Sequence, residues 1–146
     1  MDELVQAMKK SLADTFAFYL KAQGFHWNVE GPNFPQYHAL FDTIYNEVYG
    51  SIDQFAEEIR SLDAYAPASF ARFSELTSLQ DEIQILNAQG MLAKLLADND
   101  IVLASLEQAY ELAEVAHNHG LSNFLAERQD AHKKHAWMLK ATLKQR

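Results

Sequence analysis

The 146-residue chain contains no cysteine. Disulfides, thiolate metal sites and cysteine nucleophiles are therefore excluded. Glycine and proline are scarce, at 5 and 3 residues. Turns must be few, and the abundant Ala and Leu favour long helices. No run approaches the roughly 18 consecutive apolar residues of a bilayer-spanning helix. The opening Met1-Asp2-Glu3-Leu4 lacks the basic and apolar regions of a secretory leader, so the cytoplasm is the expected compartment. Positive charge is also in deficit. Twelve Lys and Arg against twenty Asp and Glu leave a net charge of -8, so the average field repels nucleic acid.

What is present supports one folded domain over residues 1–146. Hydrophobic residues make up 49% and charged residues 22%, enough for a real core. The charge is unevenly spread. Residues 128–146 hold Arg128, Lys133, Lys134, Lys140, Lys144 and Arg146 against a single acid, Asp130. These cations either complement the dipole at a helix C-terminus or form a small anion-binding patch.

Apolar periodicity predicts four long helices. The first spans about Asp2 to Asn28, with Leu4, Met8, Leu12, Thr15 and Tyr19 in three- and four-residue steps. Gly31-Pro32 stops it. The second starts near Asn33 or Phe34, with Pro35 in its first turn, and ends near Asp63. Its short connection makes it an antiparallel neighbour of the first. Residues 64–80 are too long for a structureless loop and predict a short surface helix over 70–76, packed by Phe70, Phe73 and Leu76. Such a stretch can return along the second helix, so the third would run parallel to it. The third is expected from Leu79 or Asp81 to His117, with kinks at Gly90 or Asp98-Asn99-Asp100 and Gly120 as a left-handed cap. The fourth is expected over Ser122 to Leu143. The fold class is all-α: a ferritin-like four-helix bundle with one long crossover carrying a short helix.

The second helix carries two pairs of candidate metal ligands. His38 and Asp42 are four residues apart, as are Asp53 and Glu57, so each pair projects from one face. The pairs are offset by eleven residues, which returns to within about 20° of the same direction but lies about 16.5 Å further along the axis. Ligands sit about 2.0–2.6 Å from a metal ion, so the pairs cannot share one within a chain. They can share one if a second copy of this helix lies antiparallel across a two-fold axis, which creates two identical sites. His26, near the end of the first helix, falls beside His38 and Asp42. Mixed imidazole and carboxylate donors suit iron, manganese or zinc. The competing reading is a solvated acidic face with a structural histidine.

The segment Phe25-His26-Trp27-Asn28-Val29-Glu30-Gly31-Pro32-Asn33-Phe34 resembles the signature of the Dps family, ferritin-like mini-ferritins named for DNA protection during starvation. His38-x-x-x-Asp42, followed by Asp53-x-x-x-Glu57, resembles that family's ferroxidase centre. Tyr65-Ala66-Pro67 and the stretch from Glu127-Arg128 to Trp137-Met138-Leu139 extend the likeness over nearly the whole chain. The resemblance implies a hollow homododecamer that oxidises Fe(II) with hydrogen peroxide at two-fold interfaces and stores ferric mineral. It implies that His26, His38 and Asp42 come from one subunit and Asp53 and Glu57 from its mate, each centre taking two irons. Zinc or manganese are the alternative ions. Trp27 resembles the family's site-adjacent tryptophan, an interceptor of stray oxidant or a packing residue.

Two departures bear on function. The Lys-rich N-terminal tail of DNA-binding members has no counterpart in the first residues, so DNA binding is not expected. Where members often carry two acids at a three-fold iron pore, this chain has Asn123 and Glu127. Two other readings compete. An intrachain di-iron bundle needs two Glu-x-x-His motifs, and only Glu114-x-x-His117 is found. A non-enzymatic DNA-compacting or structural shell is the alternative outside enzymology.

Overall fold

The computed structural model describes residues 2–145 and forms five helices: α1 (Asp2–Asn28), α2 (Phe34–Ser61), α3 (Phe70–Leu76), α4 (Ala88–Val115) and α5 (His119–Leu143). No strand occurs among the described residues. The four long helices make the bundle, and α3 lies on the crossover.

The α1–α2 turn depends on Gly31, whose φ of 120° disfavours any residue with a Cβ. Its carbonyl accepts from the Phe34 amide at 3.0 Å, closing the reversal. Because this turn is short, α1 and α2 pack side by side. Gln89, at the start of α4, donates to the Tyr37 hydroxyl near the start of α2. The crossover therefore does return the chain, and α4 runs parallel to α2. Phe18, Phe41, Phe55, Met8, Leu12, Ile44, Ile59, Leu92, Leu95 and Leu106 are sealed between the helices. At about 25 cal/mol per Å² of apolar surface, such rings and branched chains dominate stability.

The short helix forms where expected, but one of its anchors differs. Ser69 caps it by accepting from the Arg72 amide. Phe73 stacks on Phe16 of α1 with centroids 4.7 Å apart, whereas Phe70 is 78% exposed. The exit is tied down by Asp14 of α1, whose Oδ1 accepts from the Thr77 hydroxyl and the Ser78 amide, both at 2.7 Å.

Four expectations on the second half need correction. The third long helix begins at Ala88, not at Leu79 or Asp81. Lys21 donates to the Gln80 carbonyl, holding that backbone out of a helix, and Asn87 then caps α4 by accepting from the Gly90 amide at 2.8 Å. Gly90 does not kink the helix. A Cβ there would come within 3.1 Å of Asn87 Oδ1 and 3.3 Å of Leu86 Cβ, so glycine leaves room for the cap to close. Nor does Asp98-Asn99-Asp100 break it, because Asp98 pairs with Lys21 and Asn99 with His132. The left-handed residue after α4 is His117, at φ 55°, not Gly120. The His117 amide bonds the Glu114 carbonyl and the Asn118 amide the Ala113 carbonyl, the paired bonds of a Schellman turn. Asn118 also caps the next helix through Leu121, so α5 starts at His119 rather than Ser122, with Gly120 already in its first turn.

Candidate metal centre

The end of α1 and the start of α2 bring His26 and His38 face to face. Their rings stack with centroids 3.7 Å apart and planes 14° apart. Each Nδ1 bonds the other residue's backbone carbonyl, His26 to His38 O at 2.8 Å and His38 to His26 O at 2.7 Å. A carbonyl only accepts, so both Nδ1 atoms carry the proton and both Nε2 atoms keep a free lone pair when neutral. Metal-ligating histidines are held in this way, with the second nitrogen donating to a carbonyl or carboxylate. Phe34 also stacks on His38, with centroids 4.8 Å apart.

Asp42, one turn after His38, puts Oδ1 3.9 Å from His26 Nε2. Among the described residues its only hydrogen bond from a side chain comes from Asn46, at 3.1 Å. The carboxylate is half exposed. Asp53 and Glu57 lie further along α2, exposed, and make no ion pair or side-chain hydrogen bond among the described residues. The structure thus brings together His26, His38 and Asp42 and leaves Asp53 and Glu57 apart from them. Among the described residues no three His, Asp or Glu side chains converge closely enough to hold a metal ion.

The remaining candidates lie elsewhere. Trp27 is 61% exposed and lines an open groove with Leu20, Ile83 and Ile85. Asn123 and Glu127 share the outer face of α5, with Asn123 Nδ2 donating weakly to Glu127 Oε1 at 3.4 Å. Glu114 accepts from the Ser122 hydroxyl at 2.8 Å, and with His117 it helps end α4 and start α5.

A second histidine–carboxylate cluster escaped the sequence reading. Arg128 on α5 grips Glu47 on α2 with two bonds, at 2.5 and 3.0 Å, and His135 Nε2 donates to the same carboxylate at 2.8 Å. Burial alone would raise the Glu47 pKa, but the His135 and Arg128 bonds hold it well below the usual carboxylate range. His132, wholly buried, donates Nδ1 to Asn99 Oδ1 at 2.7 Å while Asn99 donates back to the His132 carbonyl at 2.9 Å. Burial and then the Arg128 charge push the His132 pKa well below its ordinary value, so it is neutral. Arg128 therefore belongs neither to a helix-end dipole nor to a surface anion patch. Lys133, Lys134, Lys140 and Lys144 do remain exposed, and Arg146 lies outside the described residues. The visible signal was Arg128, His132 and His135 at i, i+4 and i+7 on one helical face.

Comparison with known proteins agrees with this architecture. The ferritin-like domain model matches residues 5–146. DNA protection during starvation protein 2 of Bacillus anthracis is 30% identical over 143 residues, covering 98% of both chains. The solved Dps of Thermosynechococcus elongatus superposes with a TM-score of 0.95 at 26% identity, over 99% of this chain and 92% of that one. The Vibrio cholerae O1 Dps, described as a member of a broad superfamily of ferritin-like diiron-carboxylate proteins, gives 0.93 at 29% identity, over 98% and 90%. Fold and sequence define a ferritin-like helical bundle. Within that class, the chain belongs to the Dps family. No helix among the described residues is long and apolar enough to cross a membrane.

Proposed function

We propose that this chain is an iron-storing mini-ferritin that oxidises Fe(II) at centres shared between two subunits. The observation that carries the reading is the histidine pair: two imidazoles fixed through Nδ1 with their Nε2 lone pairs free, and the Asp42 carboxylate 3.9 Å from His26 Nε2. That is half a site, and the acids that would complete it stand on the same helix, too far away to reach it. Their numbering supports a two-fold completion. An antiparallel pair related by a two-fold matches residues whose numbers have a constant sum, and His38 with Glu57 and Asp42 with Asp53 both sum to 95. Asp53 and Glu57 of the partner subunit would then face His26, His38 and Asp42.

The donor set fits iron as substrate. Imidazole nitrogen and carboxylate oxygen bind first-row metals, with zinc and manganese as competitors. Three carboxylates favour Fe(III) over Fe(II), because the more highly charged ion gains more from anionic oxygen. Two Fe(II) ions supply the two electrons that turn one hydrogen peroxide, with two protons, into two waters. The product is stored as ferric mineral in a closed shell, a homododecamer assembled from such two-fold pairs. Duplex DNA is not a partner in this reading, because a net charge of -8 opposes it. The cytoplasm is the proposed compartment.

Mixed assemblies test the shared site. Chains carrying His26→Ala, His38→Ala and Asp42→Ala should lack ferroxidase activity, as should chains carrying Asp53→Ala and Glu57→Ala. Co-assembled, they should regain activity, because some interfaces pair two intact halves. Verified hetero-oligomers with no recovery would remove the shared centre.

A further inference from the structure

The open corner fixes its two imidazoles through backbone carbonyls, but its carboxylate is held differently. Asp42 is half exposed, and a free carboxylate can offer a metal ion one oxygen or two. What restrains it is Asn46, one turn later on α2. Asn46 Nδ2 donates to Asp42 Oδ1 at 3.1 Å and to the Asp42 backbone carbonyl at 2.9 Å. Both partners only accept, so the amide nitrogen must face them and both its protons are used.

Helix formation does not ask for this residue, because asparagine in mid-helix is a poorer helix former than Ala, Glu or Lys. Thr43 shows the ordinary habit of a polar side chain on this surface: its hydroxyl turns back to the Ala39 carbonyl at 3.1 Å. Asn46 makes that backbone bond and reaches the carboxylate as well. The oxygen it holds is the one that faces His26, with Oδ1 3.9 Å from His26 Nε2. Donors about 2.0–2.2 Å from a shared ion lie up to about 4.3 Å apart, so one ion can join these two atoms. A carboxylate oxygen carries two lone pairs, and with one accepting from Asn46, Oδ1 keeps one for an ion. A chelating pose, with the ion between the two oxygens, swings Oδ1 off the Asn46 proton. Asn46 is exposed in the single subunit, but it stands within about 40° of Asp42 around the helix. Positions 46 and 49 also sum to 95, so the two-fold pairing sets Asn46 level with Tyr49 of the partner subunit. The pairing therefore covers the bond, and exclusion of water strengthens it.

We propose that Asn46 is a positioning residue that makes Asp42 a one-oxygen ligand and so sets the metal preference of the shared centre, an inference that rests on the ferroxidase reading above. One carboxylate oxygen beside an imidazole nitrogen suits Fe(II) and Zn²⁺. A second oxygen from the same carboxylate adds a donor and moves the set towards the oxygen-rich, six-coordinate sites of Mn²⁺. The Asn46 bond holds the carboxylate in the first arrangement and opposes the second.

The test titrates the assembled protein with Co²⁺, whose visible bands weaken as its coordination number rises, and with Zn²⁺ and Mn²⁺ in competition. Asn46→Ala should weaken Zn²⁺ binding by several-fold to about tenfold. It should lower the preference for Zn²⁺ over Mn²⁺ by a similar factor and dim the Co²⁺ bands, because the released carboxylate adds a donor. Asn46→Gln keeps an amide that reaches Asp42 from one turn away and should restore both the preference and the spectrum. Asn46→Ser covers the case in which the Ala variant does not assemble: its hydroxyl turns back to the Asp42 carbonyl and frees the carboxylate, so it should give the dimmed spectrum. Asp42→Ala separates this inference from the reading beneath it. Unchanged Co²⁺ and Zn²⁺ binding in Asp42→Ala would mean that the corner is no metal centre, and both would fall. Weakened binding in Asp42→Ala, with wild-type affinity, preference and spectrum in Asn46→Ala, would overturn the role of Asn46 alone.

Discussion

Two clusters in this chain mix imidazole with carboxylate, and they treat their lone pairs in opposite ways. At the α1–α2 corner, His26 and His38 tie down Nδ1 and leave Nε2 free, and Asp42 has only a light partner in Asn46. Between α2 and α5, Glu47 is gripped by Arg128 and His135, and His132 is locked to Asn99. The guanidinium in the second cluster already supplies the cation that a carboxylate attracts, and its charge opposes a metal ion. The first cluster has no resident Lys or Arg among the described residues. Residue types alone do not separate a ligating set from a structural one. What separates them is whether donors and a fixed charge within the chain already occupy the oxygen and nitrogen lone pairs.

The contrast breaks most readily on metal affinity. Removing an imidazole from the open cluster, by His26→Ala or His38→Ala, should weaken Zn²⁺ binding to the assembled protein by at least about tenfold. Glu47→Gln should leave that affinity nearly unchanged. Isothermal titration checks both, and equal losses from the two clusters would erase the distinction drawn here.

Stability should respond in the reverse order. Glu47→Ala strands the buried Arg128 guanidinium and should cost on the order of 2–3 kcal/mol, less than a fully buried pair because Glu47 faces solvent on one side. Asp42→Ala removes an acid with no strong partner and should stay within about 0.5 kcal/mol. Urea unfolding at fixed protein concentration reads both. A small effect from Glu47→Ala would mean that the clamp is ornamental.

Acid should loosen the closed cluster in two stages. His132 has a folded pKa below its unfolded value of about 6.5, so only the unfolded chain takes up the proton as pH falls below that value. Its contribution is complete above about pH 6.5 and declines beneath it. Glu47 is likewise depressed, so its contribution is present above the ordinary carboxylate range and is lost as pH falls through that range towards its folded value. Unfolding midpoints measured downward from pH 7 should show the first decline in the wild type and a flatter one in His132→Gln. Identical slopes would show that another group titrates.

Much of this was legible in the sequence, and the failures share a cause. The bounds of α1 and α2 follow from periodicity and from Gly31-Pro32. The return of the crossover follows from its length. The meeting of His26, His38 and Asp42 follows from i, i+4 spacing plus a short turn, because each of those relations is local. The start of α4 was not legible. Leu79, Ile83 and Leu86 have helical spacing, yet Asp14 and Lys21 on α1 bind the backbone of residues 78 and 80 and keep it extended. The clamp on Glu47 was invisible for the same reason: Arg128 lies 81 positions away. His117 rather than Gly120 takes the left-handed turn because the Schellman bonds to Ala113 and Glu114 offset the cost of a positive φ.

Glu127 is the intermediate case, and its effect should be the smallest. It stands beside Arg128 but on the outer face, with one long contact from Asn123 and no ion pair among the described residues. Its charge is therefore unclaimed, as in the open cluster, though nothing nearby could complete a site within the chain. We propose that this turn of α5 lines a three-fold pore of the assembly, where three copies would form a ring of carboxylates that concentrates Fe(II) by its field. With Asn123 neutral, that field rests on Glu127 alone. Glu127→Gln should preserve assembly and final iron capacity but lower the initial Fe(II) uptake rate by about two- to threefold at low salt. The difference should shrink as added salt brings the Debye length down towards about 8 Å. Asn123→Asp should raise the rate, because it restores a second ring one turn away. Stopped-flow uptake in intact assemblies across ionic strengths decides the matter. Rates that ignore both substitutions would show that Glu127 is only a solvated carboxylate and that iron crosses the shell elsewhere.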